Sequence, residues 1–294
     1  MSFSALKKRK NNLESLKNKM QSNSGGQQSY DDDRYWTLER DKAGNGYAVI
    51  RFLDVSKADQ EKAGDSEVAP WAHYYTHAFK NEQGRWFFDN CLTSIGSNCP
   101  VCEANSELWN SGVDANKEVA RQRKRKEHYV TNIYVVKDSA NPQNEGKVFL
   151  YKFGPSIFDK IKDAMTPEFE DEVGFNPFDF WEGANFKLKA RMSDGYVKYD
   201  KSEFDSQGPL LDDDSEMESV WSKSYALHEI TDPSNFRSYD ELKSKLNKII
   251  GATQPKIVES APVAEVNSVP FSSDDDDDDD DDSLEYFRSK LADD

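Results

Sequence analysis

Alternating apolar and polar positions predict that this chain is built mainly from short β-strands. The clearest case is 185–192, where apolar and basic residues alternate one by one. Two opposite faces are predicted there, one with Phe186, Leu188, Ala190 and Met192 and the other with Lys187, Lys189 and Arg191. Runs rich in β-branched and aromatic residues predict further strands. These are expected over 47–53, over 76–91 as a hairpin with its turn at 81–84, and over 128–137 and 147–153.

The sequence also predicts helices, at 4–20, 103–127, 156–165 and 239–250. The last of these has the capping-box residues Ser238 and Glu241 at its start and Gly251 at its end. Short strands separated by long insertions favour a mainly β fold with helices, of the α+β class. A small open barrel that carries extra elements is the architecture this pattern predicts.

The two ends of the chain differ in composition from the middle. Residues 21–33 are polar and rich in Gly and Ser, as linkers are. Nine consecutive aspartates, Asp274–Asp282, lie in a C-terminal segment that cannot bury an apolar core. We therefore expect a flexible basic arm over 1–20, a linker over 21–33, an ordered core over 34–251 and a disordered acidic tail over 252–294.

Charge is strongly segregated along the chain. The formal net charge is −17, which by itself argues against a nucleic-acid partner. However, residues 1–20 contain six bases and one acid, and residues 117–162 contain eleven bases and five acids. Residues 255–294 contain fourteen acids and three bases. Because the basic segments are separate from the acidic tail, nucleic acid remains a plausible partner.

Composition excludes several other classes of protein. No apolar run approaches the roughly 18 residues that a membrane-spanning helix needs. The charged N-terminus is not followed by an apolar stretch, so no secretory signal is predicted. Three cysteines are too few for a disulfide scaffold in 294 residues. The sequence therefore predicts a cytosolic protein with reduced thiols.

All three cysteines lie within twelve residues of one another and predict a metal site. Cys99 and Cys102 enclose a Pro-Val turn that directs two thiolates to one point, and Cys91 is close by. A closed tetrahedral site needs a fourth ligand. His77 is the better candidate, since the predicted hairpin brings it alongside Cys91, and His73 is its competitor.

Four protein ligands of this kind indicate one structural Zn²⁺. A catalytic zinc would need an open position, and no His-x-Glu pair precedes the Cys-x-x-Cys segment as it does in nucleic-acid deaminases. The alternative is three buried free cysteines without a metal. Random placement rarely leaves every cysteine of a protein at ligand spacing, so the zinc site is favoured.

A basic run leads directly into the predicted strand that begins at His128. It consists of Arg121, Arg123, Lys124, Arg125 and Lys126. The aromatic candidates on this and nearby strands are Tyr129, Tyr151, Tyr196 and Tyr199. Bases that grip phosphate, interleaved with rings on which nucleobases stack, are typical of single-strand binding. The alternatives are a solvated charged face and half-buried structural tyrosines.

The chain resembles a known family, the single-stranded DNA-binding proteins of T-even-type bacteriophages. The resemblance rests on GNGYAVIRFL at 44–53, on VVKDSANPQNEGKVFLYKFG at 135–154 and on WEGANFKLK at 181–189. It also includes the His77…Cys91…Cys99-Pro-Val-Cys102 pattern and the basic stretch that ends before Tyr129. These segments span most of the core in the same order.

The resemblance implies a fold, a function and a set of contact residues. The fold is an OB-fold core with an inserted zinc subdomain at about 70–110, which binds single-stranded DNA in the cleft between them. The implied DNA contacts are Arg51, Lys124, Arg125, Lys126, Tyr129, Tyr151, Tyr196 and Tyr199. The implied zinc ligands are His77, Cys91, Cys99 and Cys102. The function implied is cooperative, sequence-tolerant binding in phage DNA replication, recombination and repair, in the cytoplasm of the infected bacterial host.

The two ends are implied to bind proteins. The basic arm, with Lys7, Lys8, Arg9 and Lys10, would contact the neighbouring protomer on DNA. The acidic tail would recruit phage replication and recombination proteins. Within the tail, Leu284, Phe287 and Leu291 fall on one face of a short helix that would fold only against a partner.

Two other functions are consistent with the same residues. One is a zinc-dependent nucleic-acid enzyme, and the other is an acidic interaction hub that mimics DNA. The chain has no phosphate-binding glycine loop and no nucleophile motif, and its four histidines leave little for acid–base chemistry. The sequence therefore favours a binding protein over an enzyme.

Overall fold

The structure is a computed structural model, and it describes residues 32–169 and 171–251. The predicted arm, most of the linker, the acidic tail and its 284–291 motif lie outside these residues. The chain divides into two units, Met1–Tyr35 and Trp36–Asp294. In the first unit, Arg34 forms an ion pair with Asp32 at 2.7 Å. The rest of this description concerns the second unit.

Strands and short helices alternate through the described residues. The strands are β1 (Tyr35–Trp36), β2 (Gly46–Phe52), β3 (Ala72–Lys80), β4 (Trp86–Asn90), β5 (Lys126–Asp138), β6 (Val148–Phe153), β7 (Ala184–Ser193), β8 (Tyr196–Lys198) and β9 (Glu203–Gln207). The α-helices are α1 (Lys57–Ala63), α2 (Pro100–Asn110), α3 (Asp114–Gln122), α4 (Pro155–Met165), α5 (Asp214–Trp221) and α6 (Tyr239–Ile250). The fold is thus mixed α+β and mostly sheet, as predicted.

The long strand β5 connects two parts of one antiparallel sheet. Along one edge it pairs with β6, and the strand order continues on the other side as β5–β2–β7–β8. The first residues of β5 pair instead with β3, which forms a hairpin with β4. Tyr129 lies where these pairings meet, opposite His73 on β3 and Phe153 on β6. β5 therefore positions the β3–β4 hairpin next to the main sheet.

Most of the predicted elements that lie within the described residues are confirmed. The predicted helix over 103–127 is confirmed only in part, because Gly112 adopts a left-handed φ of 72° and divides it into α2 and α3, and β5 already begins at Lys126. The alternation predicted over 185–192 is confirmed, since Phe186, Leu188 and Ala190 are buried. Met192, at the end of the same series, is exposed and lies against Gly44.

Three apolar clusters hold the unit together. The largest lies beneath β2, β5, β6 and β7 and includes Phe52, Ile133 and Phe186. The second joins the β3–β4 hairpin to α2 and α6, with Phe87 and Leu242 beside the cysteines. The third packs α5 against the start of β6. Through the second cluster, α6 covers the subdomain that contains the cysteines.

The carboxylate of Asp59 fastens the start of α1 to the loop before α6. It accepts hydrogen bonds from the Ser56 hydroxyl at 2.6 Å and from the backbone amides of Leu227 and His228 at 2.9 Å each. His228 Nδ1 lies 2.7 Å from the same carboxylate. Burial alone would raise the pKa of Asp59, but these hydrogen bonds outweigh burial and lower it.

We expect Asp59→Asn to lower the free energy of unfolding by about 2 kcal/mol at pH 7, because charge-assisted hydrogen bonds are lost. The folded-state pKa lies below the unfolded value of about 3.9, so this stabilisation is complete above that value and disappears as pH falls through the folded pKa. Urea unfolding at neutral and acidic pH measures the difference. Exposed Asp163→Asn is the control, and a pH-independent difference for Asp59→Asn would contradict the prediction.

Candidate metal centre and nucleic-acid interface

Four side chains from three adjacent elements converge on one point. His77 lies on β3, Cys91 follows β4, and Cys99 and Cys102 lie at the start of α2. Their ligand atoms all fall within 4.8 Å of one another. Cys91 Sγ is 3.5 Å from Cys102 Sγ, and His77 Nε2 is 3.5 Å and 3.4 Å from the sulfurs of Cys99 and Cys102. The predicted ligand cluster is therefore assembled.

These separations fit a tetrahedral zinc. Zn–S and Zn–N bonds of about 2.3 and 2.05 Å give tetrahedron edges of about 3.8 Å between sulfurs and about 3.6 Å between sulfur and nitrogen. His77 Nδ1 lies 3.3 Å from the carbonyl oxygen of Arg123, to which it donates. This bond leaves Nε2 free to coordinate, as second-shell partners of metal-bound histidines do.

His73, the competing ligand, lies elsewhere. Its Nε2 is 2.7 Å from a carboxylate oxygen of Glu127, and its ring is not part of the cysteine cluster. The pairing of β3 with β4 explains why His77, and not His73, joins the cysteines. It places His77 next to the end of β4, which continues into Cys91. Three thiolates and one imidazole complete a four-ligand shell, which is the arrangement of structural rather than catalytic zinc sites.

Without a metal ion, the four ligands shift one another's pKa in different directions, and the pKa of the Cys102 thiol is raised by its hydrogen bonds with Cys91 and Cys99. Burial alone would lower the pKa of His77, but its hydrogen bonds with Cys91 and Cys99 outweigh burial and raise the pKa to about 9. Hydrogen bonds with Cys102 and Cys91 lower the pKa of the Cys99 thiol. Metal binding requires thiolates and a neutral imidazole, so it would release protons from this site.

Aromatic rings hold the basic run beside the metal centre. The guanidinium of Arg121 lies 5.5 Å from the Trp109 ring, that of Arg123 5.4 Å from Phe79, and that of Arg125 4.0 Å from Tyr75. Lys124 and Lys126 are half-buried. Cation–π contacts of this kind fix the direction of long side chains. The predicted basic run is therefore an ordered row of cations.

Two further contacts tie this row to the cysteines. The Arg123 carbonyl accepts from His77, as described above. Arg125 Nη1 donates to Thr93 Oγ1 at 2.8 Å, and Thr93 Oγ1 lies 3.1 Å from Cys91 Sγ. The backbone at Arg123 and the side chain of Arg125 are therefore tied to the Cys₃His cluster.

The four predicted tyrosines lie in different environments. Tyr196 is 59% exposed, and Tyr199 is half-buried against the main core. Tyr151 is only 5% exposed and its ring meets that of Trp36 edge-on at 5.4 Å. Tyr129 is also buried and stacks on Phe158 with ring centres 3.8 Å apart. Tyr196 offers the most ring surface to a ligand.

Arg51 has a structural position. It is 1% exposed, and its Nη2 donates to the carbonyl oxygens of Asp179 and Gly208, each at 2.8 Å. Burial lowers the pKa of this guanidinium to about 10. The prediction that Arg51 contacts DNA stays untested, and its burial gives that role no support.

The basic face of β7, which the alternation in the sequence predicted, is neutralised by nearby acidic residues. The basic face of β7 forms ion pairs with acids on and beside β9. Their N–O distances are 2.9 Å for Lys187 and Asp205, 2.7 Å for Lys189 and Glu203, and 2.9 Å for Arg191 and Asp200. The attraction of this face for phosphate is therefore weaker than its sequence indicates.

The sequence predicted only one ring, Tyr129, of an aromatic platform that lies next to the basic run. We define it as His73, Tyr75, Tyr129 and Phe158. The His73 ring stacks on Tyr129 at 4.7 Å and meets Tyr75 edge-on at 4.8 Å. The pairing of β3 with β5 brings these rings together, and a single sequence does not show that register. Only the alternation along 72–80 hinted that His73, Tyr75 and His77 share a face.

Fold and site together define a class of protein, a β-rich binding protein with a Cys₃His metal site and a cationic, aromatic surface. The chain belongs to the family described as gp32 DNA binding protein like, whose model matches residues 44–250.

Curated relatives agree with this assignment. The single-stranded DNA-binding protein of Enterobacteria phage T2 is 40% identical over 242 residues, which cover 79% of this chain and 75% of the relative. The single-stranded DNA-binding protein of Enterobacteria phage T4 is 40% identical over 232 residues, which cover 76% of this chain and 72% of the relative. The resemblance seen in the sequence is confirmed, and so is the expectation of a binding protein rather than an enzyme.

Within residues 32–169 and 171–251, no helix has the length and apolar character needed to cross a bilayer. The longest described helix, α6, has twelve residues and a capping box at its polar start.

Proposed function

We propose that this chain binds single-stranded DNA in phage DNA replication, largely without regard to base sequence. The observation that carries the proposal is family membership over 44–250, combined with the ordered cation row beside the aromatic platform. Arginine and lysine would contact phosphates, and exposed ring faces would stack on bases. Because every base has a π-face, stacking tolerates any sequence.

The sheet supports an OB-fold core as part of the proposal. An open barrel with extra strands and helices, including the β3–β4 hairpin, suits a nine-stranded sheet in which β5 pairs with β2, β3 and β6. In this proposal the subdomain at about 70–110 forms one wall of the DNA cleft. Its single Zn²⁺ is structural, because all four ligand positions are protein side chains.

Direct titration tests the function. Fluorescent oligo(dT) and a duplex of equal length are titrated with the full chain at two salt concentrations. We expect the single strand to bind more tightly, with an affinity that falls as salt rises because phosphate contacts release counterions. Equal affinity for the duplex, or no binding of either DNA, would refute the proposal.

Tyr196 and Tyr151 should respond differently to replacement by alanine. Tyr196→Ala removes an exposed ring, so we expect single-strand affinity to fall by about 1–3 kcal/mol with unchanged thermal stability. Tyr151→Ala opens a cavity in the core, so we expect the free energy of unfolding to fall by about 3 kcal/mol. Oligo(dT) titration and thermal melting of both variants measure the two effects. An unchanged melting temperature for Tyr151→Ala would show that its burial is not stabilising.

The parts outside the described residues are proposed from the sequence and the family. We propose that residues 1–20, with Lys7–Lys10, contact the neighbouring protomer and make binding cooperative. The tail over 252–294 would bind phage replication and recombination proteins, with Leu284, Phe287 and Leu291 as anchors. The protein would act in recombination and repair as well as replication, in the cytoplasm of the infected bacterial host.

A further inference from the structure

We propose that Glu127 gives the DNA-binding surface a preference for nucleobases that carry an exocyclic amino group. The inference rests on the proposed function, since it concerns a base lying on the aromatic platform. Glu127 is an acid that directly follows the cationic row, between Lys126 and His128. A negative charge at this place repels phosphate, so it weakens general binding unless it makes a favourable contact of its own.

The strand register places this carboxylate among the rings. Glu127 pairs with Tyr75, and the next residue pair on the same face is Tyr129 with His73. Directly opposite residues of an antiparallel pair project to the same side of the sheet. A base that stacks at the Tyr75–His73 end of the platform would therefore have its edge near Glu127.

One oxygen of the carboxylate is occupied and the other is available. Oε1 accepts from the Tyr129 hydroxyl at 2.7 Å and lies 2.7 Å from His73 Nε2. Among the described residues, Oε2 accepts no hydrogen bond, and it is not one of the buried unpartnered polar atoms. The side chain is 27% exposed, so Oε2 is within reach of a ligand from solvent.

Glu127 is ionised at neutral pH. Its hydrogen bond with His73 is the main reason that the pKa of Glu127 lies below its usual value. An ionised carboxylate only accepts hydrogen bonds. Cytosine and adenine present amino donors on the edges that a stacked base exposes, whereas thymine and uracil present an O4 acceptor there. Oε2 would thus attract an amino base and repel a keto base.

The alternative is that Glu127 only orients His73 and Tyr129. Cytosine and uracil distinguish the two roles, because the two bases differ chiefly in carrying an amino group or an oxygen at C4. An orienting role affects both bases equally. A base-reading role changes the ratio of the two affinities.

The test is titration of the full chain with oligo(dC) and oligo(dU) of equal length at one salt concentration. We expect the dC affinity relative to dU to fall about five- to tenfold in Glu127→Gln, because the amide side chain both donates and accepts. The exposed Glu61→Gln on α1 is the matched control and should leave the ratio unchanged. Tyr75→Leu should weaken dC and dU binding by similar factors, since it removes a stacking ring and keeps the carboxylate.

The outcomes separate this inference from the proposed function. An unchanged dC to dU ratio in Glu127→Gln, with both oligonucleotides still bound, overturns the base preference and leaves single-strand binding intact. Failure of the unaltered chain to bind either oligonucleotide overturns the function itself. If Glu127→Gln melts at a lower temperature, the affinities of the unaltered chain still test the inference. An oligo(dC) affinity about equal to its oligo(dU) affinity would exclude base reading by Glu127.

Discussion

Reversing the charge of Lys124, Arg125 and Lys126 together is expected to reduce single-strand affinity by about two to three orders of magnitude at low salt. Each phosphate neutralised on a single strand contributes about 0.7 to the slope of log affinity against log salt. Loss of three contacts should therefore flatten the slope by about two units. Because phosphates carry no sequence information, binding to all sequences should weaken alike.

Titration of oligo(dT) over a range of salt concentrations measures the slope. A matched control reverses Lys42, Lys57 and Lys62, which are exposed and lie outside the cation row. We expect that control to change the slope much less. If the salt slope stays the same after the charges of Lys124, Arg125 and Lys126 are reversed, other cations contact the phosphates. Replacement of Arg125 also removes its contacts with the Tyr75 ring and the Thr93 hydroxyl.

Removal of the metal is expected to have the largest effect on stability. Structural zinc contributes about 10 kcal/mol or more to the folding of small zinc domains at neutral pH. Even a loss of about 4 kcal/mol here should lower the melting temperature by roughly 10 °C. We expect this from a chelator and from Cys99→Ser. Hydrogen exchange should increase over residues 70–110, where the second apolar cluster surrounds the cysteines.

Single-strand binding should weaken at the same time, through the arginines. Loss of the metal frees His77 and Cys91, which hold the Arg123 carbonyl and, through Thr93, the Arg125 side chain. Added Zn²⁺ should restore the chelated protein but not Cys99→Ser, and the exposed Ser97→Ala is the control. Purified protein without stoichiometric metal, or with stability that resists chelation, would contradict the prediction.

The sequence predicted the local features of this protein well. The alternation over 185–192 and the capping box at Ser238 depend on residues a few positions apart. The Cys99–Cys102 segment, predicted as a turn, forms the first turn of α2. Strand and helix preferences are also local, and they located β2, β5, β6 and α6 within a few residues. The candidate metal-binding cluster was predicted because three of its four members lie within twelve residues.

Only the tertiary structure decided which side chains reach solvent and which meet across strands. Arg51 and Tyr151 belong to strands whose composition does not show that other segments cover them. His73, Glu127 and Tyr129 come together through the register of β3 with β5, which pairs residues more than fifty positions apart. Local sequence encodes secondary structure because its hydrogen bonds and rotamer preferences act over short distances. Burial and cross-strand contacts depend on the whole packed chain, so they emerged only from the fold.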